Sequence, residues 1–200
     1  MQDTDRFTPG GGFQTSPSVI AVTDEPRDAT SLAVGFDLDM TLIDTVPGFG
    51  ATLAALGEEL GVDFEIDEVT SRLGPPLGDS LAVRRHAGRV VVVTGKFTPH
   101  AQLHVDHLGL DLDHLEGTVW GVGKAAVLKA EGVSVYVGDH VHDVEGALAA
   151  GALSVSVLTG GCTAAELQTA GTHVVLADLR DFPIWLDEHL AGAAAVQTRW

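Results

Sequence analysis

Four short apolar runs, Leu32 to Phe36, Val90 to Val93, Val133 to Val137 and Leu153 to Val157, recur along this chain with longer helical stretches between them. Short runs rich in β-branched residues suit strands buried on both faces, and strands separated by helices return in the same direction. The pattern predicts a doubly wound α/β domain. Helices are expected over Pro47–Leu60, Pro99–Leu108, Lys124–Ala130, Val144–Ala150, Ala164–Ala170 and Leu179–Leu190, each bounded by Gly, Pro or Asp. In such sheets reactive groups gather at the carboxyl ends of strands. Three of the four runs lead to a polar residue there: Asp37, Thr94 and Asp139.

The first of these ends is the richest. Phe36-Asp37-Leu38-Asp39-Met40-Thr41 delivers two carboxylates and a hydroxyl into one turn. Asp37, at the strand tip, is placed to attack phosphorus in line with one oxygen while the other holds a metal ion. Asp39, two residues on, can protonate a leaving oxygen and later activate water. Thr41 could fix the turn. An acidic strand-to-loop turn capped by Asp is the plain alternative.

Three further pieces follow in order. Thr94-Gly95-Lys96 closes a buried strand with a hydroxyl and a glycine that lets backbone N–H groups approach phosphoryl oxygens; Lys96 reads equally as an anion contact or a solvated lysine. Lys124 opens a helix after Gly121-Val122-Gly123 and can screen a phosphate from the nucleophile, although a helix-start lysine in water fits the same pattern. The glycine spacing there is not that of a nucleotide-binding loop. Gly138-Asp139-His140-Val141-His142-Asp143 ends another strand with two carboxylates four residues apart, one to ligate Mg²⁺ and one to orient a metal-bound water, with helix capping as the plain role for either.

Charge narrows the partners. Eleven basic against 28 acidic residues leave a formal net charge of -17 at pH 7, a field that repels nucleic acid and anionic membranes. An anionic substrate then needs local compensation from a metal ion, a cation or backbone N–H groups. The single cysteine, Cys162, offers neither a disulfide nor a thiolate metal site. With no basic, apolar leader and no run of membrane-spanning length, the expectation is a soluble cytoplasmic protein.

Taken together and in this order, the four pieces resemble the haloacid dehalogenase superfamily of aspartate-nucleophile phosphatases, over about Leu32 to Leu176. The resemblance implies a Rossmann-like core in which Asp37 forms an aspartyl-phosphate and Asp39 is the acid/base. It implies that Thr94, Gly95 and Lys124 hold the phosphoryl group. It also implies that Mg²⁺ sits between Asp37, the Asp39 carbonyl and Asp139, supported by Asp143. A carboxylate at Asp39 favours ester hydrolysis over dehalogenation. Asp44-Thr45 and Leu73-Gly74-Pro75-Pro76-Leu77 are similar to the phosphoglycolate phosphatase-like subgroup, which inserts a helical cap after the first motif.

The expected organisation is a flexible tail over 1–30, a core over 31–45 and 88–192, a reduced cap over 46–87 with helices at about Gly50–Leu60 and Ile66–Arg72, and a tail over 193–200. The activity expected is hydrolysis of a small phosphorylated metabolite. A phosphosugar mutase and a non-catalytic phosphate sensor or scaffold are the alternatives. His100, His104 and His107 share a helical face at ligand-compatible spacing but are set aside as solvated or capping residues. His140 and His142 flank the metal aspartate as possible substrate or product-release residues, and the tryptophans are read as packing.

Overall fold

The computed structural model describes residues 31–45 and 80–197. The tail over 1–30, the predicted helices at 47–60 and 66–72 and the remainder of the insertion up to residue 79 lie outside the described residues.

The chain builds β1 (Ala33–Phe36), α1 (Ser80–Arg85), β2 (Arg89–Val93), α2 (Thr98–Leu108), β3 (His114–Glu116), α3 (Lys124–Ala130), β4 (Val135–Gly138), α4 (Val141–Ala150), β5 (Leu153–Val157), α5 (Ala164–Ala170), β6 (Val174–Leu176) and α6 (Phe182–Gln197). One parallel six-stranded sheet results, in the order β3-β2-β1-β4-β5-β6. This is the doubly wound fold that the βα alternation predicts.

Strand parity divides the core. Val34, Phe36, Val90, Val92, Val135, Val137, Val155 and Val157 face one side, where they pack with Ala82, Val83, Ala101, Phe182 and Leu186. Val91, Val93 and Tyr136 face the other, against Leu128 and Ala147. Because both faces are covered, β2 and β4 read in sequence as near-continuous apolar runs, whereas β5 alternates with the buried Ser154 and Ser156. Phe36 and Phe182 meet edge-to-face at 5.4 Å, which ties α6 to the strand that carries Asp37.

Several expectations are corrected. The sheet has six strands, not four; β3 and β6 are three-residue, half-buried elements. Residues 80–87, assigned to the insertion, begin with α1, whose Ala82 and Val83 are fully buried in the core. The last helix runs to Gln197 instead of ending near 190, after a single 3-10 turn at Leu179–Asp181. The fourth helix starts three residues early, at Val141, because His140 and Asp143 cap it reciprocally.

Strand order places the functional end. β1 leads to β2 and β3 on one side, whereas β4 pairs with β1 on the other, so the chain reverses direction across the sheet between β1 and β4. A crevice opens beyond the carboxyl ends of such a strand pair, and Asp37 and Asp139 stand there.

Candidate active site

Asp37 follows β1 directly, and its N–H donates to the Val137 carbonyl at 2.9 Å, which prolongs strand pairing past β1. The next residues wrap onto Leu38, whose carbonyl accepts from the N–H groups of Leu42 and Ile43 at 2.9 and 3.0 Å. Met40 closes this turn with a left-handed φ of 59°, a costly conformation for a side-chain-bearing residue. It is pinned there by its own N–H to the Ile43 carbonyl at 2.9 Å and by the Thr159 hydroxyl, which donates to its carbonyl. The turn holding both aspartates is therefore locked from two sides. Thr41 reaches across to the residue after β4, donating to Asp139 Oδ1 at 3.1 Å, which ties this turn to the end of that strand.

Lys124 is the hub. Its Nζ donates to Asp37 Oδ1 at 2.8 Å, Asp143 Oδ1 at 2.6 Å and Tyr136 Oη at 2.9 Å, and the side chain is buried. Tyr136 donates in turn to the Val93 carbonyl at 2.6 Å. Its ring crosses β1 at Gly35, where an added Cβ would lie 2.8 Å from Cδ2. Burial first, and then Asp143, Asp37 and Asp139, hold the phenol well above its usual acidity range, so Tyr136 keeps its proton. Burial lowers the Lys124 ammonium, but Asp37 and Asp143 outweigh it and the net shift is upward.

One carboxylate oxygen from each of Asp37, Asp139 and Asp143 lies within 4.8 Å of the others, all buried, a set that could hold a metal ion. Burial and then the Asp143 charge raise Asp37 to about 7, although Lys124 and Thr94 pull the other way. Asp139 is pushed up to about 8 by burial and by Asp143 and Asp37. Two carboxylates that resist ionisation at neutral pH mark a site with more negative charge than its single lysine can balance. Asp143 also accepts from the His140 N–H through Oδ2 at 3.1 Å, so both its oxygens are already engaged within the protein.

These shifts set a pH dependence for the metal-free protein. Below about pH 4 folded and unfolded chains both hold these protons; above it only the folded chain does, until the pH passes about 7 and about 8. Stability from Asp37 and Asp139 is thus present in acid and lost as pH rises. In chelator, the melting temperature is expected to fall from about pH 5.5 to about pH 8.5, with a shallower fall in Asp139→Asn. Parallel profiles for the two proteins would refute this origin.

At the rim, Asp39 is half-buried and its Oδ1 takes a 2.7 Å ion pair from Lys96 Nζ. Lys96 is therefore neither a free surface lysine nor an open anion contact. Thr94 is buried beneath, its hydroxyl accepting from the Lys96 N–H at 3.3 Å. Asp37, Asp39, Thr94, Gly95, Lys124, Asp139 and Asp143 line one cavity of about 140 Å³. His140, His142 and Trp120 line it too. His100, His104 and His107 instead border a shallow hollow beside Lys96, and among the described residues the aspartate trio is the group able to hold a metal.

Sequence reading missed Tyr136, which looks like any aromatic strand residue, and Trp120, which it assigned to packing. The one available signal for Trp120 was its place four residues before Lys124.

The decisive match is to the haloacid dehalogenase-like hydrolase family, whose model covers residues 48–148, half of the chain. The chain belongs to this hydrolase family. A second, HAD-hydrolase-like model matches residues 123–182, so the two together span Thr94, Lys124, Asp139 and Asp143, while Asp37 and Asp39 precede both. No curated protein matches the hydrolase in sequence. Among solved structures, a predicted phosphatase from Clostridium acetobutylicum superposes with a TM-score of 0.66 at 17% identity, covering 79% of this chain and 99% of the other. A haloacid dehalogenase-like family hydrolase from Streptococcus pneumoniae gives 0.60 at 19% identity over 80% and 98%. A protein from Thermotoga maritima described as a beta-phosphoglucomutase also gives 0.60, at 19% identity over 78% and 99%. At these identities the likeness is one of fold, and it supports the HAD-like core. Among the described residues, no helix is long and apolar enough to cross a membrane.

Proposed function

We propose that this hydrolase is a Mg²⁺-dependent phosphatase that hydrolyses a small phosphomonoester through an aspartyl-phosphate on Asp37. The observation that carries the reading is the junction of Asp37, Lys124, Asp139 and Asp143 in one buried cluster, with Asp39 at its rim. The resemblance of Asp44-Thr45 and Leu73 to Leu77 to the phosphoglycolate phosphatase-like subgroup makes phosphoglycolate the first ester to try. It acts in the cytoplasm, on a metabolite and not on nucleic acid or membrane.

The metal fits. The candidate ligands are hard carboxylate oxygens, and burial together with mutual repulsion disfavours the charged forms of Asp37 and Asp139, a penalty that a divalent cation would offset. Asp37 and Asp139 would hold it with Asp143 in support, and its charge would stabilise the transferring phosphoryl group.

An Asp37 oxygen attacks phosphorus, and the bond from phosphorus to the ester oxygen breaks. Asp39 gives its proton to the departing alkoxide, having exchanged its contact with Lys96 for one with that oxygen. As a carboxylate, Asp39 then takes a proton from water, the water oxygen attacks phosphorus, and the bond to Asp37 breaks, releasing inorganic phosphate. Lys124 and the Thr94–Gly95 turn neutralise and position the phosphoryl oxygens throughout.

The test is turnover of an aryl phosphate and a phosphometabolite panel with and without Mg²⁺, with Asp37→Asn as control. Turnover indifferent to Mg²⁺ or surviving Asp37→Asn overturns the reading. Phosphoryl return to a second sugar hydroxyl would identify a mutase, and ligand binding without turnover a sensor. A sharper probe of the metal is Gly160, where an added Cβ would fall 1.8 Å from Asp139 Oδ2. Gly160→Ala displaces that carboxylate, so half-maximal activation is expected to need at least about tenfold more Mg²⁺. An unchanged titration would remove Asp139 from the metal site.

A further inference from the structure

Trp120 is out of keeping with its surroundings. It is 62% exposed, yet it borders a cavity floored by carboxylates and a lysine. It is also held in place. The six-membered edge of its indole lies so close to the turn after β2 that a Cβ on Gly95 would fall 2.3 Å from its Cε3, which explains the glycine beside Thr94 independently of phosphate. Its ring centroid lies 5.2 Å from that of His142 and 6.0 Å from that of His140, and the two imidazoles are 4.8 Å apart. His142 is braced from behind by Glu145 Oε2 at 2.9 Å from its Nδ1. His140 Nδ1 accepts from the His142 N–H at 3.2 Å, which puts the ring proton on Nε2 and leaves it a donor. Three contiguous rings thus line the cavity that Asp37 also borders.

Such a lining does nothing for a phosphoryl group, which is held by charges and N–H groups. It acts on what the phosphoryl group leaves. A two-carbon acid such as glycolate has no face to stack, and its carboxylate would approach the Glu145 carboxylate that stands behind His142. A ring with a polar edge gains on both counts: its face lies on the indole, and its edge accepts from His140.

Resting on the phosphatase reading, we infer that the leaving alcohol of the substrate carries a ring with polar substituents, a sugar or a nucleoside, which stacks on Trp120 and is oriented by His140. The ring-bearing esters then outrank phosphoglycolate and glycerol phosphate.

The experiment compares kcat/KM of the full-length protein with Mg²⁺ on a hexose phosphate, a nucleoside 5′-monophosphate, glycerol phosphate and phosphoglycolate. The better ring ester is expected to exceed both ringless esters by about tenfold or more. Trp120→Ala should reduce that preference about tenfold through KM, and Trp120→Phe should keep most of it. The hexose and nucleoside arms decide which ring is used. Equal losses on all four esters in Trp120→Ala, or a native preference for phosphoglycolate, would overturn the inference. A second readout needs no turnover. In Asp37→Asn, the ring ester should quench tryptophan fluorescence at lower concentration than glycerol phosphate, and Trp120→Phe should abolish the quench. Failure of the phosphatase reading shows separately, as activity that survives Asp37→Asn.

Discussion

Asp37→Asn is expected to lower kcat by at least about 10⁴-fold while leaving the metal-free protein as stable as the native one, or more so. The two halves of this result come from one geometry. An amide cannot form the acyl phosphate, so the first step loses its nucleophile and the second loses the intermediate it would hydrolyse. Its carbonyl can still accept from Lys124 at the position of Oδ1, 2.8 Å from Nζ. One of three crowded carboxylates is then gone, and with it the burial and repulsion that raise Asp37 to about 7 and contribute to raising Asp139. A chain that is inactive yet melts no lower than native at about pH 8 in chelator is the signature. Substantial residual turnover would remove Asp37 as nucleophile, and a large drop in melting temperature would show that its charge is needed for folding.

Lys124→Met should do the opposite to stability. Among the described residues the structure pairs Asp37 and Asp143 with no other cation, so removing the ammonium strands buried negative charge at a cost of about 3–5 kcal/mol. The cost is greatest in metal-free protein at about pH 8. It shrinks toward about pH 6, where carboxylates whose acidity burial and repulsion have already weakened take up protons. Activity should not return with the fold, because the charge facing the phosphoryl oxygens is still missing; a loss of about 10²–10³ in kcat is expected even for protein shown to be folded. Denaturant titrations at the two pH values beside kcat measurements separate the effects. A pH-independent destabilisation would point to lost packing instead of stranded charge.

The candidate set was legible because it sits at strand ends, and strand ends are local. Asp37, Thr94 and Asp139 each terminate or follow an apolar run that periodicity alone reveals. Lys124 was legible from its place at a helix start. Its burial was not, since that depends on Tyr136, Asp37 and Asp143 arriving from elsewhere in the fold. Strands β3 and β6 escaped because His114–Glu116 and Val174–Leu176 are too short to set a period and are only half-buried. α1 escaped because Ser80 to Arg85 follows a Gly- and Pro-rich stretch and gains its order from Ala82 and Val83 meeting the sheet. Lys96 and Trp120 share one reason: each is an ordinary surface residue until a remote turn brings Asp39, or His140 and His142, beside it.

The phenol beneath Lys124 bears on the timing of the proposed cycle. When Asp37 is phosphorylated its carboxylate charge is replaced by that of the phosphoryl oxygens, and the ammonium exchanges one of its two ionic partners. The hydroxyl of Tyr136 is anchored to the Val93 carbonyl and keeps its proton throughout. Nζ therefore has a neutral tether that does not slacken between the two half-reactions. The attacking carboxylate and, later, the attacking water meet the same positive charge in the same place, with little reorganisation needed in between.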